Sequence, residues 1–276
     1  MNVIRAGPLA PLVFGGIQYN TAVTTRSIAA AIAATILGVI SQQAAAQNTP
    51  VRVLVSNGMR AAIEELQPQC ERAIGHPLSL QFNSTAAVKK RIEAGEAFDV
   101  TIITTEAIGD LIKEGKLASG SRADVARSEL GIGIRAGAVK PDIHAPEALK
   151  KTLLEAKSIT YPQDGASRAY IEKMFERLRI AADVQPRIIL APGSGPATES
   201  VASGKAAMVI TLFSEIAPVH GVEILGPLPG KFHYDIRFGA ATSVASKDMP
   251  GAQGLIGFLV GPDAARTFKT KGLQPR

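Results

Sequence analysis

Short apolar runs alternate with helical patterns through the first half of the chain after residue 50. Each run of about five apolar residues leads into a stretch whose apolar positions recur at helical spacing, and each stretch is closed by a glycine. The predicted strands are 51–55, 78–82 and 98–103, and the predicted helices are 58–74, 85–94 and 105–114. This alternation predicts a mostly parallel sheet covered by helices.

A second strand–helix series follows a strand that contains two glycines. The predicted strands are 129–135, 157–161, 186–190 and 207–211, and the predicted helices are 146–155, 168–180 and 197–203. After a break at 226–230 come an extended segment, 233–245, and helices at 250–260 and 263–270. We therefore predict an α/β fold of two Rossmann-like lobes joined by a two-strand hinge. Lobe 1 would be 51–132 and 236–276, and lobe 2 would be 133–235.

Composition and charge exclude several classes of function. Hydrophobic residues make up 46% of the 276 residues, so a packed core is expected. The formal net charge is +6, but basic residues stand near acidic ones and form no stripe. There is no Trp and aromatics are 5%, which disfavours stacking on nucleic acid bases. The single cysteine, Cys70, excludes an internal disulfide and lies in an apolar stretch typical of a buried thiol.

Residues 24–46 have the layout of a secretory signal peptide. Arg26 precedes an apolar core at 28–40, and small residues ending at Ala46 form a cleavage site. We expect residues 1–46 to be removed, and Val23 to be an alternative initiator. No cysteine stands at the cleavage site, so a lipid anchor is not expected. The prediction is a free protein in a bacterial periplasm.

Small hydroxyl, amide and glycine residues recur where predicted strands end. Hydroxyls and backbone N–H groups at a helix start lie beside the positive end of the helix dipole and can bind an anion. Any one turn is more often a simple helix cap, but recurrence in both lobes favours a binding cleft. Arg168 adds a guanidinium suited to a carboxylate. The candidate ligand-binding residues are Ser56, Asn57, Ser84, Thr85, Thr104, Ala166, Ser167, Arg168, Ser194 and Thr211.

No motif for catalysis, metal binding or a cofactor is present in the sequence. The four histidines, His76, His144, His220 and His233, lack metal-ligand spacing, and there is neither a Gly-x-Ser-x-Gly elbow nor a complete phosphate-binding loop. We therefore predict a binding protein without catalytic residues, metal or cofactor. A periplasmic enzyme that closes on a small anionic substrate stays open as an alternative. A ligand-sensing domain of a transcription regulator is disfavoured by the signal segment and by the missing helix-turn-helix.

Several motifs together carry a family resemblance. They are Val55-Ser56-Asn57-Gly58, Phe82-Asn83-Ser84-Thr85 with Ile92-Glu-Ala-Gly95, Phe98-Asp99-Val100, Gly165-Ala166-Ser167 and Val201-Ala-Ser-Gly204. With them the chain resembles, over about 51–271, the periplasmic solute-binding proteins of ABC importers. The resemblance is to the molybdate-binding-protein-like branch of the type II periplasmic binding fold.

The resemblance implies roles for particular residues. It gives Ser56 and Ser84 as hydroxyl donors to an oxyanion, and a backbone N–H at Ala166 or Ser167. Molybdate binders of this family also use a tyrosine late in the second lobe, where this chain has Thr211. The implied function is capture of a small anion, an organic carboxylate or a molybdate-like oxyanion, by a monomer that delivers it to a membrane ABC permease.

Overall fold

The computed structural model describes residues 49–276, so the predicted signal segment lies outside the described residues. Ten strands form one continuous mixed sheet. They are β1 (Val51–Ser56), β2 (Leu78–Asn83), β3 (Val100–Thr104), β4 (Ala123–Arg135), β5 (Ile159–Pro162), β6 (Ile188–Ala191), β7 (Met208–Leu212), β8 (Val222–Pro227), β9 (Asp235–Thr242) and β10 (Gln274–Pro275).

Helices cover this sheet, and every helix that the apolar spacing predicts is present. The helices of the described chain are α1 (Arg60–Ile74), α2 (Thr85–Glu93), α3 (Thr105–Lys113), α4 (Pro146–Glu155), α5 (Arg168–Leu178), α6 (Ala181–Val184), α7 (Ser194–Ala202), α8 (Phe213–Ile216), α9 (Met249–Leu259) and α10 (Pro262–Thr270). No helix between residues 49 and 276 is long and apolar enough to cross a membrane.

The order of strands divides the sheet into two halves that share β4. The path is β2-β1-β3-β9-β4-β7-β5-β6, with β8 and β10 also paired to β4. We call β2, β1, β3 and β9 with their helices the first lobe, and β7, β5 and β6 with theirs the second lobe. Within each lobe the strands β1 to β3, or β5 to β7, are parallel. The predicted fold class is confirmed, whereas the exact domain boundaries stay a prediction.

The strand that joins the lobes is longer than its sequence pattern indicates. Glycines and a clear apolar run predict a start at residue 129, but β4 begins at Ala123. Its first part pairs antiparallel with β9 and with β10, and its last part pairs with β7 and β8. These partners lie far away along the chain, so the pairing that extends β4 leaves no local signal.

The core of the first lobe lies between the sheet and helices α1, α9 and α10. Phe238 of β9 and Phe268 of α10 are fully buried in it. Cys70 is 1% exposed, and burial raises the pKa of its thiol to about 12. The prediction of a buried structural thiol is therefore confirmed, because a group with so high a pKa stays protonated and unreactive near neutral pH.

Candidate anion-binding cleft

Two hydroxyl-bearing turns stand side by side at the edge of the first lobe. The parallel strands β1 and β2 are adjacent, and their register sets Ser56 opposite Asn83, so both strands end at the same edge. Ser84 caps helix α2, because its hydroxyl accepts the N–H of Ala87 at 3.2 Å. The hydroxyl of Thr85 donates to the Oγ of Ser56 at 3.1 Å, which ties the two turns together.

Two turns of the second lobe face them. Strand β5 ends at Pro162 and leads through Gly165 and Ala166 to α5. Strand β6 ends at Ala191, and helix α7 starts three residues later with Ser194 as its first residue. Because β5 and β6 are parallel neighbours, these turns also share one edge. The second-lobe edge therefore presents backbone N–H groups and one hydroxyl.

A small cavity of about 60 Å³ lies where these turns meet. A water molecule needs roughly 10–15 Å³ by the same measure, so the cavity has room for roughly four to six atoms of oxygen size. That is the size of a carboxylate or of a tetrahedral oxyanion. Its lining consists of Ser56, Asn57, Gly58, Asn83, Ser84, Thr85, Pro162, Asp164, Gly165, Ala166, Pro192, Gly193, Ser194, Leu212, Glu215 and Phe238.

A larger cavity of about 410 Å³ adjoins the small one and shares Thr85 and Ala166 with it. Its other lining residues come from the start of α3 and from the beginning of β9. They are Ala86, Thr104, Thr105, Glu106, Tyr234, Asp235, Ile236 and Arg237. The Asp235 carboxylate accepts from Arg127 at 3.0 Å, whereas no ion pair of the described chain involves Arg237. The cleft therefore continues from a small anion-sized space into a wider polar one.

One acidic side chain, Glu215 of the short helix α8, enters the wall of the small cavity. Its carboxylate accepts hydrogen bonds from the hydroxyls of Thr211 and Ser194 and from the N–H of Leu212. Burial raises the pKa of this carboxyl, and the three hydrogen bonds oppose that shift only in part. No ion pair among residues 49–276 joins Glu215 to a cation. Sequence reasoning missed this residue, although an acid in the otherwise apolar stretch 208–216 was a usable signal.

The structure brings seven of the ten predicted site residues to the two cavities. They are Ser56, Asn57, Ser84, Thr85, Thr104, Ala166 and Ser194. As ligand contacts they stay predictions. The small hydroxyl and glycine residues expected at the strand ends line the small cavity, together with the acidic residues Asp164 and Glu215.

The other three predicted residues do not line either cavity. Ser167 is 2% exposed and lies beneath the turn. The guanidinium of Arg168 donates to Glu172, one helical turn on, at 2.9 Å and to the carbonyl of Gln163 at 2.8 Å. Thr211 is fully buried and its hydroxyl is used by Glu215. The side chains of Arg168 and Thr211 therefore already have partners within the protein.

The histidines do not form a site. His76 lies 3.2 Å from Asp248, His144 lies 2.8 Å from Asp142 and His233 lies 3.7 Å from Glu129. Each of these pairs is away from both cavities. The part of the chain that the structure describes holds no group of three His, Cys, Asp or Glu side chains able to bind a metal ion.

Comparison with known proteins gives relatives that span nearly the whole described chain. An aconitate isomerase from Pseudomonas sp. is 30% identical over 251 residues, which cover 89% of this chain and 95% of that protein. The molybdate-binding protein ModA of Azotobacter vinelandii is 26% identical over 233 residues, which cover 83% of this chain and 91% of that protein. Both similarities include the two lobes, so they are not limited to one motif.

Solved structures share the fold. The periplasmic molybdate-binding protein of Azotobacter vinelandii superposes with a TM-score of 0.66 at 22% identity, covering 81% of this chain and 98% of that one. The L-phospholactate-bound PEB3, a protein of Campylobacter jejuni, superposes with a TM-score of 0.60 at 18% identity, covering 82% and 100%. Residues 51–274 match the profile of one protein family throughout. The chain belongs to the bacterial extracellular solute-binding proteins, and within them it is similar to the molybdate-binding proteins.

Proposed function

We propose that this protein is the periplasmic solute-binding component of an ABC importer and that it captures a small organic carboxylate. The observation that carries the proposal is the small cavity, in which hydroxyls and backbone N–H groups from both lobes surround an anion-sized space. Neutral donors at helix starts stabilise a dehydrated anion without a buried countercharge. Ligand bound there would hold the two lobes together, and closure about β4 and β9 would report the bound state to a permease.

The adjoining cavity favours an organic ligand over a bare oxyanion. Ligand pockets for small molecules commonly measure about 300–1,000 Å³, and the larger cavity of 410 Å³ is in that range. One carboxylate would occupy the small cavity, and the rest of the ligand would extend past Thr104 toward Arg237. Glu106 and Asp235 on the same wall are acceptors for hydroxyl groups of the ligand. PEB3, which shares the fold, has been solved with a phosphorylated hydroxy acid.

The periplasmic location rests on the family and on the predicted signal segment. The family consists of extracellular solute-binding proteins, and residues 24–46 have the pattern of a cleaved signal peptide. Delivery to a membrane permease follows from the importer assignment. Co-purification of the mature chain with a membrane ABC permease of the same organism, increased by ligand, is the result expected; equal recovery with and without ligand would contradict it.

Isothermal titration calorimetry with a panel of anions tests the ligand class. The panel comprises molybdate, tungstate, sulfate, phosphate, and di- and tricarboxylates including aconitate and hydroxy acids. We expect the carboxylates to bind more tightly than the tetrahedral oxyanions, with a thermal shift that follows the same order. Preference for molybdate would assign the chain to oxyanion transport, and binding of none would remove the transport assignment.

The Ser84→Ala variant is expected to bind every anion of the panel more weakly. Its hydroxyl faces the small cavity and also caps α2. Loss of one hydrogen bond to a charged ligand costs about 1–3 kcal/mol, and loss of the helix cap costs about 1 kcal/mol of stability. Calorimetry measures the first effect and thermal unfolding the second. Ser121→Ala, outside both cavities, is the control, and an unchanged affinity for Ser84→Ala would show that Ser84 only caps the helix.

Arg237→Gln is expected to separate organic carboxylates from inorganic oxyanions. Arg237 lines the larger cavity and not the small one, and it also borders a separate surface cavity with Arg127 and Gln274. We expect affinity for di- and tricarboxylates to fall by about 1.5–3 kcal/mol, the range for a hydrogen bond to a charged group, and affinity for sulfate to stay the same. Arg266→Gln, whose side chain stands on the exposed face of α10, is the matched control. Equal losses for sulfate and tricarboxylates would place Arg237 outside the ligand site.

A second candidate function is isomerisation of an unsaturated carboxylate. Two observations favour it: the 30% identity with an aconitate isomerase over nearly the full length, and the presence in the cleft of Glu215, whose pKa is raised by burial. A carboxyl whose pKa is raised above its ordinary value is better suited to give a proton to a bound ligand and take one back, which is the chemistry of a general acid and base.

Proton NMR in deuterated buffer tests this second function directly. Wild-type protein would be incubated with cis-aconitate and, separately, with trans-aconitate. Appearance of the other isomer with wild type, and its loss in Glu215→Gln, would establish the isomerase. If both substrates persist unchanged while calorimetry shows that they bind, the chain is a binding protein.

A further inference from the structure

The Glu215 carboxyl faces the space where the ligand anion is proposed to bind. Glu215 lines the small cavity beside Ser56, Ser84 and Ser194. A carboxylate and a ligand anion in a cavity of about 60 Å³ would lie within a few ångströms of each other. Two like charges so close, and shielded from water, repel strongly, as in paired carboxylates where one is forced to hold a proton.

The partners of the carboxyl do not compensate a negative charge. Hydroxyls of Thr211 and Ser194 and the N–H of Leu212 are all neutral. Each hydroxyl can either donate or accept, so both hydrogen bonds survive when the carboxyl carries a proton. The residues around Glu215 therefore suit a neutral acid at least as well as an anion.

Charged groups on the neighbouring elements do not reach the carboxyl. Arg60 of α1 and Glu215 both line a third cavity of about 400 Å³, but the Arg60 guanidinium is bound to Glu64 at 3.1 Å and to the Asn57 side chain at 3.2 Å. Asp164, on the β5–α5 turn, lines the small cavity and adds a second negative charge.

The remaining charged groups on elements packed against α8 are half-buried or exposed, and none forms an ion pair with Glu215. They are Glu199 on α7, Glu223 on β8, which pairs with Lys140, and Asp124, Arg127, Glu129 and Arg135 on β4. The local charge balance thus opposes ionisation of Glu215 further when an anion is bound.

We propose that Glu215 acts in the cleft as a neutral acid that donates its O–H to the bound anion, so that ligand binding requires, and fixes, one proton on this side chain. The proposal rests on the proposed function, since it concerns the same ligand site. Burial raises the pKa of the carboxyl before any ligand arrives, and a bound anion raises it further. Affinity is then constant below the pKa of the free site and falls about tenfold per pH unit above it.

This donor also sets which anions bind well. An anion whose oxygen carries no proton accepts the hydrogen bond from the O–H of Glu215 directly. A ligand that itself carries a proton or hydroxyl at that oxygen would compete for the donor role. The site therefore selects fully ionised carboxylates and oxyanions at neutral pH and releases them as the pH rises.

The test combines a titration that needs no ligand with binding measurements that do. Carbon-13 NMR of protein labelled at the glutamate carboxyl carbons, with the Glu215 signal assigned by its loss in Glu215→Gln, follows protonation in the free protein. Calorimetry from pH 5 to 9 with sulfate, molybdate and trans-aconitate follows affinity. The same calorimetry in buffers of different ionisation enthalpy gives the number of protons that the protein takes up when ligand binds. Glu215→Gln keeps a neutral donor in place, and Glu199→Gln is the control for a distant exposed acid.

The ordinary pKa of a glutamate side chain is about 4.3. We expect the Glu215 signal to titrate above that value. Affinity of wild type and of Glu199→Gln should fall on going to high pH with uptake of one proton, whereas affinity of Glu215→Gln should be independent of pH. If Glu215 is fully ionised at pH 6, or if ligand binds above the pKa of Glu215 without proton uptake, the donor role is wrong. The proposed function would still stand. If no probe binds wild type or Glu215→Gln at any pH, the donor role and the proposed function both fail.

Discussion

The Phe238→Ala variant is expected to lose about 3–5 kcal/mol of its free energy of unfolding, the usual cost of deleting a buried phenylalanine ring. Phe238 is fully buried in β9, opposite Thr104 of β3 and Ala126 of β4. Its ring also borders the small cavity and lies against Gly58. Removal of the ring therefore opens a cavity at the junction of the core with the ligand site.

Urea unfolding measured by circular dichroism gives the loss directly. Phe258→Ala is the matched control, since this side chain of α9 is only half-buried and packs at the margin of the core. We expect its loss to be clearly smaller. Equal losses for the two variants would mean that the deeper burial of Phe238 adds nothing to its contribution to the free energy of unfolding. We also expect Phe238→Ala to bind ligand more weakly at temperatures where it is still folded, because Gly58 loses its support.

The Gly58→Val variant is expected to lose ligand binding while the protein stays folded. Gly58 lies in the turn between β1 and α1, and a Cβ there would approach the Phe238 ring to 2.6 Å and the Leu212 side chain to 3.2 Å. Leu212 ends β7 of the second lobe, so the turn is packed between the lobes at this point. Only a residue without a side chain allows this approach.

Overpacking of this kind costs about 1–3 kcal/mol. We expect the turn to move in response, rather than the packed strands on either side of it. Its displacement moves Ser56 and Asn57 away from the opposing turns, so affinity should fall at least about tenfold, the equivalent of 1.4 kcal/mol. Calorimetry measures the affinity and thermal unfolding verifies the fold. Gly257→Val, at a helical glycine with no atom within 4 Å of the added Cβ, is the control. Full affinity in Gly58→Val would show that the turn tolerates displacement.

Proton-coupled binding and the size of the cleft both bear on ligand choice. A cavity large enough for an organic acid makes the carboxylate assignment testable with Arg237, which lines the larger cavity. Glu215 lies in the wall of the adjoining small cavity. A ligand that spans both would bind through a neutral acid at one end and a guanidinium at the other, which distinguishes it from an inorganic oxyanion that touches only the hydroxyl turns.

The residues that sequence reasoning missed share a common property. Glu215 has no motif around it, and its position in the cleft depends on β7 pairing with β4 and β5, partners far away along the chain. Strand β8 was missed for a similar reason, since the glycines and prolines of 226–230 indicate a break and the pairing of β8 with β4 leaves no local signal. Arg168 stays a predicted ligand contact, and its ion pair with Glu172, one turn along α5, is a local feature of that helix.

The amino-acid sequence by itself determined the alternation of strands and helices, the fold class and the turns that carry Ser56, Ser84, Ala166 and Ser194. Those features are local: apolar spacing sets each element, and a hydroxyl or glycine at a strand end sets each turn. Only the tertiary structure decided which turns face each other, that Thr211 lies behind Glu215, and that Arg237 borders the cleft. Those features depend on strand pairing between distant segments and on burial, because the ionisation and the accessibility of a side chain are fixed by neighbours that the chain brings together only when it folds.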